Sequence, residues 1–552
     1  MMKYIPLRFK IPVIIACTAL VSVMSYSFVE EYFEVSKNLD IFTTLFREVN
    51  IHYVDPVDPG KLMKKGIDNM LQTLDPYTNY IPESDIEDYR FMTTGQYGGI
   101  GAVVRQKDEY IMIGEPYEGF PADKSGLMAG DIILEIDGNS TKGKKVDDVS
   151  HLLKGSPNTK VKILIQRMGI DRPEEKELTR EEIKVKSVPY YGMLNNDIAY
   201  IKLNSFTESA SREVGNALRE LKSKNSVKGL VFDLRGNPGG LLNEAVNISN
   251  LFVSKGQEIV ETRGRHKDGD RTYLAINDAV DTLIPLAVLV NSGSASASEI
   301  VSGSLQDLDR GVIIGQRTFG KGLVQTTRQL SYNSQLKITV AKYYIPSGRC
   351  IQALDYTHRN EDGSVGKIPD SLVSTFKTKA GRKVMDGGGV LPDVTTEARK
   401  MSAIASSLVS KYVIFDFATQ YRLAHPNIDA KSFKLSDSEF NDFLAFIGNK
   451  EYDYTTKSEK TLEDLKKNCE DEKYFADLKG EYEALKAKLS HNKQEDVQKN
   501  KEEIVNLIED EITSRYFYQS GRIRESLTHD TDVARALEVL GDSKVYNSLL
   551  SN

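Results

Sequence analysis

Three Gly-rich loops hold the residues whose types and spacing could do chemistry. They are RGNPGG at 235–240, SGSASASE at 292–299 and RTFGKGLVQ at 317–325. In the second, Ser296 stands where a loop meets a helix, and a helix N-terminus favours negative charge on its oxygen. Neighbouring backbone N–H groups there could hold an oxyanion. Ser296 with Glu299 also spells S-x-x-E, a helix capping box, so on this loop alone a cap and a nucleophile both stand as readings. A serine attacks only when a base takes its proton. The seven histidines, His52, His151, His266, His358, His425, His491 and His529, all lie outside the three loops. There is no G-x-S-x-G around Ser296, no H-E-x-x-H and no C-x-x-C. Lys321, between Gly320 and Gly322, is the candidate base, and its flanking glycines allow close backbone approach. A free lysine has a pKa of about 10.4, so it must be desolvated to act near neutral pH. Phe319, Leu323 and Val324 are apolar neighbours able to do this. A lone G-K-G also suits a phosphate contact or a surface turn, but the Walker spacing is missing.

These loops need a frame. Residues 185–395 alternate apolar strands with amphipathic helices. The strands are Ile198 to Leu203, Gly229 to Leu234, Leu286 to Val290 and Val312 to Ile314, and the helices are Ser211 to Leu221, Leu241 to Phe252 and Ala297 to Asp307. Such alternation predicts crossover units and an α/β core. Sites in such cores gather at the carboxyl ends of strands. The three loops share one edge if their strands are parallel.

Residues 97–170 have a different period. Ile100 to Val104, Tyr110 to Ile113, Ile132 to Ile136 and Val161 to Gln166 read as strands, Asp137-Gly138 as a hairpin turn and Val146 to Leu153 as a short helix. The texts YGGIGA and PADKSGLMAGDIILEIDG, in that order, resemble a PDZ domain of bacterial proteases. The resemblance implies a loop at Gly98, Gly99, Ile100 and Gly101 whose N–H groups take a peptide carboxylate. The neighbouring strand edge would take the peptide as an added strand. The alternative is a small β domain with Gly-rich turns and no ligand.

The chain has 552 residues, a net charge of −7 and 3 Cys. That length suits roughly three to four domains, and 40% hydrophobic residues exclude a mainly disordered chain. Three Cys cannot staple a multidomain secreted protein, although Cys350 and Cys469 could pair in an oxidising compartment. The acidic balance argues against a nucleic-acid partner. Lys3, Arg8 and Lys10 precede an uncharged run from Ile11 to Val29. Residues 1–29 therefore read as a signal anchor, with a cleaved signal peptide as the rival and lipidation at Cys17 as a lesser alternative. Residues 30–96 read as a helical region. Residues 397–552, densely charged with an apolar period of three and four, read as a C-terminal helical appendage without recognisable chemistry.

The order PDZ, DLRGNPGG, GSASASEI, FGKGLVQ and GVLPD resembles the C-terminal processing peptidases, or tail-specific proteases, over about residues 35–395. The resemblance implies a multidomain α/β protein with a crotonase-like protease core. It makes Ser296 the nucleophile, Lys321 the general base and Gln325 its helper, with backbone N–H groups of Gly239 and Ala297 as oxyanion donors. It implies no metal or organic cofactor. Substrates would be exported proteins or peptides with accessible C-terminal tails. The chain would sit in a bacterial cell envelope, held at the inner membrane by residues 11–29 or free in the periplasm, with a homo-oligomer possible. Lys154 replaces the Arg common at the end of the family's PDZ helix, which puts an Arg-specific latch in doubt. The insertion at 362–389 and the long C-terminus also depart from the minimal pattern. Two other classes stay open: a binding module on the same core, as in retinoid-carrying proteins, and a PDZ scaffold that needs no Ser296.

Overall fold

The computed structural model describes residues 32–551 except 266, 361, 430–432 and 490–492. The apolar run at 11–29 and the lipidation reading at Cys17 lie outside the described residues. Among the described residues, no helix is long and apolar enough to cross a membrane. The chain divides after Tyr80 into two compact units. In the first, residues 32–52 are helical. A second helix, Pro59–Gln72, starts where the Asp58 side chain accepts the Lys61 N–H at 3.1 Å and proline fixes the first turn.

The second unit, from Ile81, opens with the helix Ile86–Thr94 and then holds the PDZ-like module. Its sheet runs Ala102–Lys107, Tyr110–Pro116, Ile132–Ile136, Lys160–Gln166, Glu174–Thr179, each strand beside the next. The helix Val146–Leu153 buries Val149 and Leu153 against Ile111, Ile113, Ile133, Ile163 and Ile165. Asp137 and Gly138 both have positive φ (49° and 77°), as the expected two-residue hairpin requires. Two expectations are corrected. The module does not close at 170, because Glu174–Thr179 adds a strand beside Lys160–Gln166. Gly98 and Gly99 are not a free loop, because Gln96–Gly99 is a strand paired antiparallel with Glu181–Lys184.

The larger sheet runs Tyr190–Met193, Ile198–Lys202, Gly229–Asp233, Leu286–Val290, Val312–Gly315, Val394–Thr395. All neighbours are parallel except the first pair. Its strands read as unbroken apolar runs because both faces are buried. On one face Leu230, Phe232, Val288 and Val290 meet residues of the helices Ala210–Lys224, Leu242–Asn250 and Ala297–Asp307, among them Leu218, Ile248 and Val301. On the other, Val231, Ala287, Leu289 and Ile314 meet Val533, Ala536, Val539 and Tyr546.

That second face corrects the reading of residues 397–552 as an appendage. The helices Thr531–Gly541 and Ser543–Leu550 are the second cover of the sheet, and the Tyr546 hydroxyl accepts the buried Leu286 N–H at 2.9 Å. Earlier C-terminal helices build their own core around Phe417, Phe440, Phe443, Ile504, Ile508 and Ile512. They also meet the PDZ-like module. Phe415 packs on Met112 and Ala129, Arg522 pairs with Glu115 at 3.0 Å, and the Tyr518 hydroxyl donates to Asp123 at 2.7 Å. Cys350 and Cys469 are both free thiols, so the pairing considered above does not form.

Candidate active site

Because Gly229–Asp233, Leu286–Val290 and Val312–Gly315 are parallel, the loops that follow them open at one sheet edge. Ser296 is the residue before the helix Ala297–Asp307 and has φ 55° and ψ −112°. A positive φ on a non-glycine residue is a strained turn that its surroundings must enforce.

The enforcing group is Glu299, which is fully buried. Its Oε2 accepts the N–H of Ser296 and the N–H of Lys321, each at 2.8 Å. Its Oε1 accepts the Gly320 N–H at 2.7 Å and the Thr318 hydroxyl at 2.6 Å. One carboxylate thus ties the serine turn to the lysine loop. Burial pushes this carboxyl up to about 7, although the Thr318 hydroxyl and the Lys321, Gly320 and Ser296 amides pull it down. Tyr343 is a second tie. Its hydroxyl donates to the carbonyl of Lys321 at 2.5 Å and lies 3.1 Å from that of Ser296. The glycines beside Lys321 are needed for close approach. A Cβ on Gly320 would stand 2.4 Å from the Ala353 Cβ, and one on Gly322 would stand 2.9 Å from the Gln352 N.

The loop 235–240 reaches the same place. A Cβ on Gly239 would lie 2.9 Å from the Ser296 Cβ and 3.0 Å from the Ala297 N. Gly239, Ser296 and Ala297 are therefore neighbours. The Gly239 N–H donates to the Asn237 Oδ1 at 2.9 Å. The Asn237 carbonyl accepts the Ala295 N–H at 3.0 Å and the Ser298 hydroxyl at 2.9 Å, so this asparagine stitches the loop to both sides of Ser296. At the loop's root, burial would raise the Asp233 carboxyl, but Lys202 and Arg235 hold it well below the usual range.

Of the other expected residues, Gln325 lies on the strand Leu323–Gln329 and its amide donates to the Thr339 hydroxyl at 3.2 Å. Gly98, Gly99, Ile100 and Gly101 lie in the PDZ-like module. The Gly98 carbonyl accepts the Gly155 N–H, that of Ile100 accepts Ala122 and that of Gly101 accepts Tyr117. Lys154, where the family pattern has Arg, pairs with Asp88 at 2.5 Å. Sequence reasoning saw Glu299 only as a local cap and missed Tyr343 and Asn237. The S-x-x-E spacing was the one available signal, and it shows the bond to Ser296 but not those to Gly320 and Lys321.

The chain matches the model of peptidase family S41 over residues 197–358. It matches a PDZ domain over 112–167 and a "Probable PDZ-protease, C-terminal helical domain" over 404–540. A "Carboxy-terminal-processing protease" of Bartonella bacilliformis is 40% identical over 325 residues, covering 58% of this chain and 74% of the relative. A "Probable CtpA-like serine protease" of Staphylococcus aureus is 36% identical over 345 residues, covering 61% and 68%. The solved photosystem II D1 C-terminal processing protease is 29% identical, covering 64% of this chain and 92% of its own, with a TM-score of 0.36.

Proposed function

The chain belongs to the carboxy-terminal-processing proteases and is a serine-type peptidase of family S41, and on that premise we propose that Ser296 is its nucleophile and Lys321 its general base. The observation that carries this reading is the Glu299 carboxylate, which holds the backbones of both residues at once. The strained turn at Ser296 presents a hydroxyl beside a helix N-terminus, where developing negative charge is favoured.

In the proposed reaction neutral Lys321 takes the Ser296 proton as Oγ attacks the peptide carbonyl. The oxyanion is held by the N–H groups of Ala297 and Gly239, the latter exchanging Asn237 for the new charge. Lys321 then protonates the leaving amine, and water hydrolyses the ester by the reverse proton path. Gln325 supports the lysine from the adjoining strand. The PDZ domain presents the substrate, taking an accessible C-terminal tail near Ile100 and Gly101 along the open edge of Ala102–Lys107. The substrates are exported polypeptides, a reading drawn from the basic residues and uncharged run at 3–29.

The test is active-site labelling with a fluorophosphonate. The wild-type chain should be modified at Ser296 and lose cleavage of an unstructured polypeptide in step. Ser296→Ala and Lys321→Ala should each abolish cleavage, and the double variant should be little worse, since the two act as a unit. Wild-type cleavage by Ser296→Ala would end this assignment.

A further inference from the structure

We propose that Asp530 and Asp532, at the start of a C-terminal helix, are positioning residues for the loop that carries Gly239, and that they act through Arg235. The proposal rests on the reading of Gly239 and Ala297 as oxyanion donors.

Arg235 is the first residue of that loop, and every part of it is held. Its N–H donates to the Asp233 Oδ1 at 2.8 Å, and its carbonyl accepts the Lys202 Nζ at 2.7 Å. Its guanidinium meets Asp233 with Nε at 3.1 Å and Nη2 at 2.7 Å. The outward side of the fork faces the C-terminal helix. There Nη1 donates to the Asp530 Oδ1 and the Asp532 Oδ2, both at 2.9 Å, and Nη2 lies 2.8 Å from the Asp530 Oδ2. The Arg235 side chain is 15% exposed, and those of Asp530 and Asp532 are 19% and 11% exposed.

Arg235 is joined to the proposed oxyanion donor Gly239 through the short backbone of Gly236, Asn237 and Pro238. The Gly236 N–H is pinned by the Asn291 Oδ1 at 2.9 Å, and the Asn237 N–H by the Leu234 carbonyl. Asn237 in turn holds the Gly239 N–H. A guanidinium that lost its outer carboxylates would re-aim at the one that remains, Asp233, and the short tied loop would move with it.

The seam between core and C-terminal helices does not need these charges to stay closed. Val533, Ala536, Val539 and Tyr546 already bury the sheet face. Partly buried ion pairs add little net stability, because desolvation offsets attraction, and their best-supported use is fixing one geometry. A fork gripped from two sides by carboxylates suits positioning.

Asparagine substitutions isolate this role. The Asp530 Oδ1 also caps its helix by accepting the N–H groups of Asp532 and Val533 at 3.0 and 3.1 Å, and asparagine caps as well as aspartate. The Asp532 Oδ1 accepts the Thr396 hydroxyl at 2.6 Å, which an asparagine oxygen can also do. Asp530→Asn and Asp532→Asn thus keep the cap, the volume and the Thr396 bond, while they remove charge from Arg235 and turn an amide donor toward its guanidinium where Oδ2 had accepted.

The experiment uses the full chain. Active sites of wild type, Asp530→Asn, Asp532→Asn and the double variant are counted with a fluorophosphonate, with Ser296→Ala as the unlabelled control. Cleavage of an unstructured polypeptide is then expressed per labelled site. Loss of one oxyanion donor costs about 100- to 1,000-fold in rate, so a displaced donor should cost about 10- to 100-fold in kcat in the double variant. KM should stay within about twofold, because the oxyanion exists only beyond the ground state. Asp530→Glu should recover part of the rate that Asp530→Asn loses. An unchanged kcat per labelled site, or a loss seen only as fewer sites and a lower melting temperature, overturns the proposal and leaves Ser296 in place. Failure of the wild type to label at Ser296 overturns the reading beneath it and this proposal together.

Discussion

Glu299 joins Ser296 to Lys321, its Oε2 accepting the backbone N–H of each at 2.8 Å. The two residues are distant in sequence, and the carboxylate replaces the chain continuity they lack. Glu299→Gln tests how much this matters. Glutamine offers one acceptor oxygen and an amide that is itself a donor, so the amide must face either the Ser296 and Lys321 N–H groups or the Gly320 N–H and the Thr318 hydroxyl, and in both cases at least one N–H is left unmet. An unmet buried polar group costs about 1–3 kcal/mol, which a denaturant melt will read. Because the loops then separate, kcat/KM should fall by about 100-fold or more. A glutamine variant that cleaves at the wild-type rate would show that the tie is not needed.

The same carboxylate gives a pH signature. Burial pushes it up to about 7 from an ordinary 4.5. Between those values the folded chain keeps a proton that the unfolded chain has released. The stability contributed by this group is therefore full below about pH 4.5 and is lost as pH rises through about 7. Activity runs the other way, since only the ionised carboxylate accepts all four donors. From about pH 5 to 8, kcat/KM should rise while this contribution to stability falls. The limb near 7 should vanish in Glu299→Gln. A variant with an unchanged profile assigns that limb elsewhere.

Sequence made some of this legible and hid the rest for physical reasons. The strand Leu286–Val290 and the helix Val146–Leu153 are legible to the residue and the helix Ala297–Asp307 approximately, because apolar periods and flanking glycines are local signals. Strand–helix alternation places the three loops at one edge on the condition that their strands are parallel, which they are. The strand Glu174–Thr179 went unread because only Leu178 in it is buried, so it shows no alternation of period two. Gly98 and Gly99 signalled a turn, and their pairing with Glu182 and Glu181 is a long-range choice that local text does not carry. The period of Val533, Ala536 and Val539 says that one helix face is buried. It does not say that the cover is the sheet beneath the active site. Glu299 was visible as a cap, and its bonds to Gly320 and Lys321 were not.

The C-terminal cover can be tested at one atom. The Tyr546 hydroxyl accepts the N–H of Leu286, the first residue of a central strand, at 2.9 Å in a buried setting. Tyr546→Phe keeps the ring packed on the sheet and leaves that N–H unmet. The expected loss is about 1–3 kcal/mol, measured as a lower denaturant midpoint with an unchanged slope. Wild-type stability would mean that water replaces the hydroxyl and that the seam is wetter than its packing suggests.

The last prediction concerns how the PDZ domain reads a tail. Gly98 and Gly99 pair with a strand of their own chain, so the proposed carboxylate capture is placed at Ile100, Gly101 and the start of Ala102–Lys107. The carbonyls of Ile100 and Gly101 are turned to Ala122 and Tyr117 at 2.8 Å. Among the described residues, Ala102–Lys107 is an end strand of its sheet, with no strand paired on its far edge, the geometry that strand addition uses. Gly101 has φ 74°, and a Cβ there would stand 2.6 Å from the Phe120 Cβ. The turn is therefore available only to glycine, and substitution there would disturb the fold as well as the ligand. The cleaner probe is on the peptide. Amidating the C-terminus of one apolar-ended peptide removes a charge and an acceptor oxygen while leaving every side chain in place. A hydrogen bond to a charged group is worth about 1.5–3 kcal/mol, so affinity should fall by roughly 10- to 150-fold. Calorimetry of the acid and amide forms with Ser296→Ala protein, which under the proposed assignment binds without cutting, reads this directly. Equal affinities would reject carboxylate capture and leave strand addition along Ala102–Lys107 as the whole of the recognition.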